Sequence, residues 1–219
     1  MPEISAAEAP ENCPLCGGAG QLFWQDKNRP YRRCVTCLLV FVPPDYHLSR
    51  EAEHQVYLQH QNDPGDAGYR RFLSRIYLPV RERIPQDARG LDYGSGPGPT
   101  LSVMFEESGA AMALYDPFFA PDRTTLGGEY DFVTASEVVE HFRQPGRDFR
   151  QMWRCLKPGG FLGIMTKRVQ NLSAFQKWHY ILDPTHVAFF SRETFEWLAG
   201  EWGSEAEFVD KDVVLFRKK

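Results

Sequence analysis

Residues 90–98 read Gly90-Leu91-Asp92-Tyr93-Gly94-Ser95-Gly96-Pro97-Gly98. Residues 90–93 make a short strand that runs into a glycine turn. Without a Cβ at 94, 96 and 98, the backbone can turn sharply and approach a ligand closely. Downstream, strands and helices alternate. Residues 101–107 predict a helix that Gly109 ends, and residues 111–115 a strand stopped at Asp116-Pro117. Strands follow at 130–134 and 161–165, separated by a helix at 149–156 and the turn Lys157-Pro158-Gly159-Gly160. Ser191 is placed to N-cap a helix running through Leu198. Residues 206–209 and 213–216 read as an antiparallel pair turned at Asp210-Lys211-Asp212. This order predicts an α/β, Rossmann-like sheet covered by helices on both faces. In such a sheet the ligand lies beyond the carboxyl ends of the strands, which puts the glycine loop at the site.

The loop's spacing narrows the ligand. Dinucleotide-binding loops favour G-x-G-x-x-G, with a pyrophosphate over a helix N-terminus. Here the spacing is G-x-G-x-G and Asp92 precedes it. A carboxylate there repels pyrophosphate but can help position the ammonium of a methionine moiety, so NAD is disfavoured. Asp116 closes the second strand, where an acid can accept hydrogen bonds from ribose hydroxyls.

Residues 91–98 resemble motif I of the class I methyltransferases that use S-adenosylmethionine (SAM). Tyr115-Asp116-Pro117 resembles that family's ribose-binding acid, and residues 130–141 its fourth-strand motif. Leu156-Lys157-Pro158-Gly159-Gly160 is similar to the segment before its fifth strand, and the final antiparallel pair to its reversed seventh strand. The resemblance covers residues 90–219 in order. It implies SAM as cofactor, bound by Asp92, Gly94, Ser95, Gly96, Pro97, Gly98, Asp116, Pro117 and Ser136, with Phe118 at the adenine. The stretch between Asp116 and Tyr130 leaves little room for the family's third strand.

Glu137-Val138-Val139-Glu140-His141 follows the fourth strand. On a helical turn, positions i, i+3 and i+4 share a face, so two carboxylates and an imidazole would converge. Like charges that close call for a counterion, a shared proton or a metal. The pattern is similar to the Glu-x-x-Glu-His motif of the ubiquinone-biosynthesis O-methyltransferases and the small-RNA 2′-O-methyltransferases. That resemblance implies a divalent metal on Glu137, Glu140, His141 and a downstream histidine, here His186. Mg²⁺, Mn²⁺ and other divalent ions suit such ligands. Without a metal, the turn is a polar rim and His141 or His186, beside Glu137, serves as general base. Residues 177–180, Lys-Trp-His-Tyr, form either a substrate-covering insertion or a loop whose aromatics pack on the core.

The chain has five cysteines, four of them in the pairs Cys13/Cys16 and Cys34/Cys37. Two Cys-x-x-Cys knuckles at this separation predict a structural, closed Cys₄ zinc site in a small ribbon. The remaining cysteine, Cys155, is expected in the core. Lys27, Arg29, Arg32 and Arg33 lie beside Trp24 and Tyr31. That stretch is either a solvated hairpin or a contact for RNA. The expected organisation is a flexible tail at 1–12, the ribbon at 13–46, a helical connecting or lid segment at 47–88 and the SAM domain at 89–219. Within the lid, Tyr57, His60 and Asn62 read as a polar helix face or as a cover over the pocket.

A net charge of −4 gives no support to wholesale nucleic-acid binding. No apolar run is long enough to span a bilayer. The start of the chain lacks a signal peptide's basic and apolar regions, so a cytoplasmic protein is expected. The leading expectation is methyl transfer to a small-molecule acceptor, at oxygen. The alternatives are RNA methylation with the ribbon docking the nucleic acid, and a non-catalytic SAM-binding or zinc-ribbon adaptor.

Overall fold

The computed structural model describes residues 11–59 and 62–219. The first ten residues of the expected tail, and His60, lie outside them. The described residues begin with four short strands: β1 (Glu11–Asn12), β2 (Ala19–Gln25), β3 (Pro30–Cys34) and β4 (Val40–Phe41). Two helices follow, α1 (Arg50–Tyr57) and α2 (Ala67–Arg81), capped by the side chains of Ser49 and Asp66. The α/β part then runs β5 (Arg89–Tyr93), α3 (Thr100–Glu107), β6 (Ala111–Tyr115), β7 (Tyr130–Ser136), α4 (Pro145–Arg154) and β8 (Leu156–Met165). It continues through α5 (Leu172–Phe175), β9 (Ala188–Phe189), α6 (Arg192–Glu201), β10 (Ala206–Phe208) and β11 (Val213–Arg217).

The larger sheet has the order β10-β11-β8-β7-β5-β6. Its four strands from β8 to β6 are parallel, while β11 runs antiparallel to β8 and β10 to β11. This is the expected Rossmann-like architecture. Helices cover both faces, which is why the central strands are apolar on both sides. Ile76 and Val80 of α2 and Phe105 of α3 pack on one face with Phe132 and Leu215. Phe149 of α4 and Phe195 of α6 pack on the other with Val133 and Ile164. Gly90 is required by the first face, since a Cβ there would sit 2.2 Å from Phe132 Cζ. Between β6 and β7 the only regular structure is a 3-10 turn at Arg123–Gly127, so β6 is the edge strand among the described residues.

The smaller sheet has the order β1-β2-β3-β4-β9. Two features correct the boundaries read from the sequence. Glu11 and Asn12, expected in the tail, pair with Gly20 and Ala19. The ribbon's fifth strand comes from far along the chain, with Val40 opposite Phe189 and Phe41 opposite Ala188. The ribbon therefore shares a core with the segment after β8: Tyr31, Val40, Phe175, Tyr180 and Phe189 form one buried cluster. The first cysteine knuckle also docks on α4, where Gly146 N donates to Pro14 O at 3.2 Å and a Cβ on Gly146 would lie 2.3 Å from Leu15 O.

A shared core predicts shared unfolding. Phe189 is buried among Tyr31, Phe175 and Tyr180, at ring distances of 5.8, 5.4 and 6.4 Å. Phe189→Ala should cost about 3–5 kcal/mol. Denaturant melts should show coincident midpoints for probes in the ribbon and in the larger sheet. Two separated transitions would show independent units.

Candidate active site

The glycine loop leaves β5 through two left-handed residues, Gly94 at φ 83° and Gly96 at φ 64°. It borders a cavity of about 720 Å³, within the usual range for ligand sites. All ten residues expected to bind the cofactor line this cavity. Asp116 is held in place by backbone amides. Its Oδ2 accepts from Gly96 N at 3.0 Å, and its Oδ1 from Phe118 N and Phe119 N at 2.8 and 3.0 Å. Asp92 is 4 % exposed and accepts from Ser102 Oγ at 3.1 Å and Thr134 Oγ1 at 3.0 Å. Burial pushes its carboxyl up to about 6. Ser95 Oγ, Ser136 Oγ and Glu137 Oε1 are buried without a hydrogen-bond partner among the described residues. Three unpaired polar atoms on one cavity wall call for a polar ligand. SAM, with its ribose hydroxyls and amino-acid end, fits that requirement.

Residues before the α/β part close the cavity. A Cβ on Gly98 would lie 1.9 Å from Asn62 O, so the chain at 62 rests directly on the loop. Phe118 stacks on His54 of α1, with ring centroids 5.0 Å apart and planes 7° from parallel, and Arg50 Nη2 donates to Pro117 O at 3.1 Å. Tyr57 lies edge-on to His141 at 5.3 Å, and its hydroxyl donates to Glu53 Oε1 at 2.8 Å. The polar residues at 57 and 62 thus form cavity wall. The helix period could not reveal this, because that wall depends on where α1 docks.

The Glu-x-x-Glu-His segment departs from its expected shape. Glu137 sits at φ 50°, and only Val139–His141 form a turn, of 3-10 type. The helical face expected to unite Glu137, Glu140 and His141 does not exist. Ligand atoms of Glu140, His141 and His186 lie within 4.8 Å of one another, and Glu137 is not part of that group. His186 Nδ1 is 2.7 Å from Tyr180 O and His141 Nδ1 is 3.3 Å from Thr185 O. A carbonyl can only accept, so both Nδ1 atoms carry a proton, and in the neutral rings Nε2 carries the lone pair. His186 Nε2 also stands 3.7 Å from Asp183 Oδ2. Imidazoles that bind metals are oriented in this way. Glu140, 1 % exposed, accepts from Thr166 Oγ1 at 2.9 Å and from the Tyr180 hydroxyl. Burial, then the neighbouring Glu137, pushes it up to about 7, and burial does the same to Glu137. Sequence reasoning missed Thr166 and Tyr180 as partners of Glu140. Trp178 and Tyr180 pack on the ribbon, as the second of the two readings of residues 177–180 has it.

The four paired cysteines also meet. All four sulfurs lie within 4.8 Å, with Cys13 and Cys37 3.5 Å apart and Cys16 and Cys34 3.4 Å apart. A tetrahedral zinc with Zn–S bonds of about 2.3 Å requires S–S edges of about 3.8 Å, so the site is nearly sized for the ion. A hydrogen bond from Cys37 draws Cys13 down to about 6, while burial raises Cys16 to about 11. Cys155 is buried in the core of the larger sheet, as expected.

Residues 60–207 match the model of a family described as a methyltransferase domain. The chain belongs to that family. The ubiquinone biosynthesis O-methyltransferase of Pseudomonas savastanoi pv. phaseolicola is 30% identical over 131 residues, covering 57% of this chain and 56% of the relative. The protein of the same name from Pseudomonas aeruginosa is 28% identical over 130 residues, with the same coverage. The chain thus spans just over half the length of these relatives. Among solved structures, the Burkholderia thailandensis 1,6-didemethyltoxoflavin-N1-methyltransferase, with bound 1,6-didemethyltoxoflavin and S-adenosylhomocysteine, aligns over 90% of this chain and 98% of its own. The TM-score is 0.49 at 15% identity. At the level of family, the expected SAM-dependent methyltransferase is borne out. No described helix is long and apolar enough to cross a membrane.

Asp92 gives the apo site a pH signature. In the unfolded chain its carboxyl ionises near 3.8; in the folded chain it does so near 6. Its contribution to stability is therefore complete below the lower value and is lost as the pH rises through the higher one. Relative to Asp92→Asn, the wild-type protein should lose on the order of 2–3 kcal/mol between about pH 4 and pH 7, measured by denaturant melts. A pH-independent difference would show that Asp92 ionises normally.

Proposed function

We propose that the chain transfers a methyl group from SAM to a hydroxyl of a small-molecule acceptor. The observation that carries this reading is the placement of Glu140, His141 and His186 on the wall of the same cavity that the glycine loop borders. SAM, when bound, supplies an electrophilic methyl on a sulfonium. The chain's own groups then have two tasks. Asp92 and Glu137 are cavity-lining carboxylates without a cationic hydrogen-bond partner among the described residues. They supply counter-charge for the sulfonium and ammonium. His141 and His186 present Nε2 lone pairs, and one of them takes the acceptor hydroxyl's proton as general base. The same nitrogens, with Glu140, suit a divalent metal such as Mg²⁺ or Mn²⁺, which would lower the hydroxyl's pKa. Glu137 does not belong to this ligand set. The four cysteines hold a structural zinc.

A small acceptor is favoured over RNA by the ribbon itself. Arg29 and Arg32, half of the basic stretch at 27–33, are 7 % exposed and face the protein. They offer no charge to phosphates.

His186→Ala and Glu140→Gln should each lower methyl transfer to a panel of phenols and alcohols by roughly 100-fold or more, with S-adenosylhomocysteine (SAH) affinity within about threefold of wild type. Variants that keep the wild-type rate would remove these residues from the acceptor site. Metal analysis should find one zinc per chain in wild type and in His186→Ala alike, and none after the cysteines are replaced. Zinc that disappears with His186→Ala would contradict the assignment of that ion to the thiolates.

A further inference from the structure

The segment that carries His186 is held by the ribbon. Arg29 lies in the turn between β2 and β3, a turn fixed by Asp26, whose Oδ1 accepts from Asn28 N and Arg29 N at 2.7 Å each. From there the guanidinium reaches across to the other end of the chain. Its Nη1 donates to Pro184 O at 3.1 Å, and its Nη2 to Ile181 O and Asp183 O at 3.0 and 2.9 Å. Its Nε donates to the Tyr31 hydroxyl at 3.0 Å, and Tyr31 stands 3.3 Å from the same Ile181 carbonyl. Both side chains are buried. Three carbonyls of one turn thus converge on one cation.

That turn leads directly into the site. Tyr180, just before it, donates to Glu140. His186, just after it, binds Tyr180 O through Nδ1. Val187 N then donates to Glu140 O at 2.8 Å, and Val187 O accepts from Val42 N of the ribbon at 2.9 Å. The imidazole is therefore held by a hydrogen bond to its own turn, by Asp183 Oδ2 3.7 Å from its Nε2, and by the strand pair with the ribbon. A guanidinium presents five donors in a rigid plane and can span three carbonyls; an ammonium is a point charge that cannot hold them in one geometry.

We propose that Arg29 is a positioning residue for His186, so that the ribbon forms a working wall of the acceptor site. The inference rests on the reading of His186 as an acceptor-site group. By holding the 181–184 turn, Arg29 fixes the Tyr180 carbonyl that selects the Nδ1–H tautomer, and with it the direction of the Nε2 lone pair.

The test uses the full chain, zinc-loaded and labelled with ¹⁵N-histidine. Imidazole spectra are recorded with SAH, and the His186 signal is assigned with His186→Gln. Wild type should show a single Nδ1–H tautomer at His186. In Arg29→Met that signature should give way to the averaged signal of an exposed imidazole. Methyl transfer should fall roughly 10–100-fold, the scale seen when groups that orient a ligand are removed, while SAH affinity and zinc content stay unchanged. Arg29→Lys, which keeps the charge, should fail in the same way and decides the matter if Arg29→Met does not fold. A folded variant of either kind that keeps the wild-type His186 signature overturns the proposal. An altered signature with an intact transfer rate would instead overturn the acceptor-site reading of His186 on which it rests.

Discussion

The missing Cβ at Gly94 is the constraint on which both halves of the cavity depend. The residue leaves β5 at φ 83°, and a Cβ there would lie 2.2 Å from Val138 Cγ2. Its absence lets the turn after β7 close down on the turn after β5. That contact brings Ser136, Glu137, Glu140 and His141 to the glycine loop. Asp116 pins the same loop from the other side through Gly96 N. The loop and the acidic turn are therefore set by one close approach at the ends of three neighbouring parallel strands.

Much of this was legible in the residues. The larger sheet could be read because its strands are bounded by strong punctuation, with glycines at 94–98, Asp116-Pro117 and the Gly159-Gly160 turn. The glycine loop and Asp116 could be put at the cavity from that punctuation, since a loop after a parallel strand faces the ligand side. The rest of the expected cofactor residues came from the family resemblance. The cysteine knuckles were legible because thiol spacing is a direct statement of geometry. What failed was inference from periodicity over very short spans. Glu137 could be placed with Glu140 only by assuming an α-helical turn, and the chain instead spends a left-handed residue at 137 and tightens to a 3-10 turn. Strand β9 is two residues inside the apolar run at 187–190, too short to show a period. Its partner β4 lies about 150 residues away, and nothing local encodes that pairing. Arg29 and Arg32 read as surface charge because a sequence does not show what a guanidinium meets.

The ribbon and the larger domain are interdependent for a physical reason. A module this small cannot bury enough apolar surface on its own. It borrows Phe175, Tyr180 and Phe189 for its core and gives back Arg29 and Tyr31 to the turn before His186. The site meanwhile carries two buried carboxylates, Asp92 and Glu140, and a half-buried one, Glu137, each raised by burial. Burying them is unfavourable, and the charges of Lys167 and Arg75 offset that only in part, at Glu137. Their collection around one cavity is the expected arrangement for a ligand that brings positive charge.

The most direct test of that account is calorimetric titration of the wild-type protein with SAM, SAH and NAD at neutral pH. The account predicts saturable binding of SAM and SAH, and no binding of NAD. A protein that binds NAD, or that fails to bind SAM and SAH while folded, would contradict it.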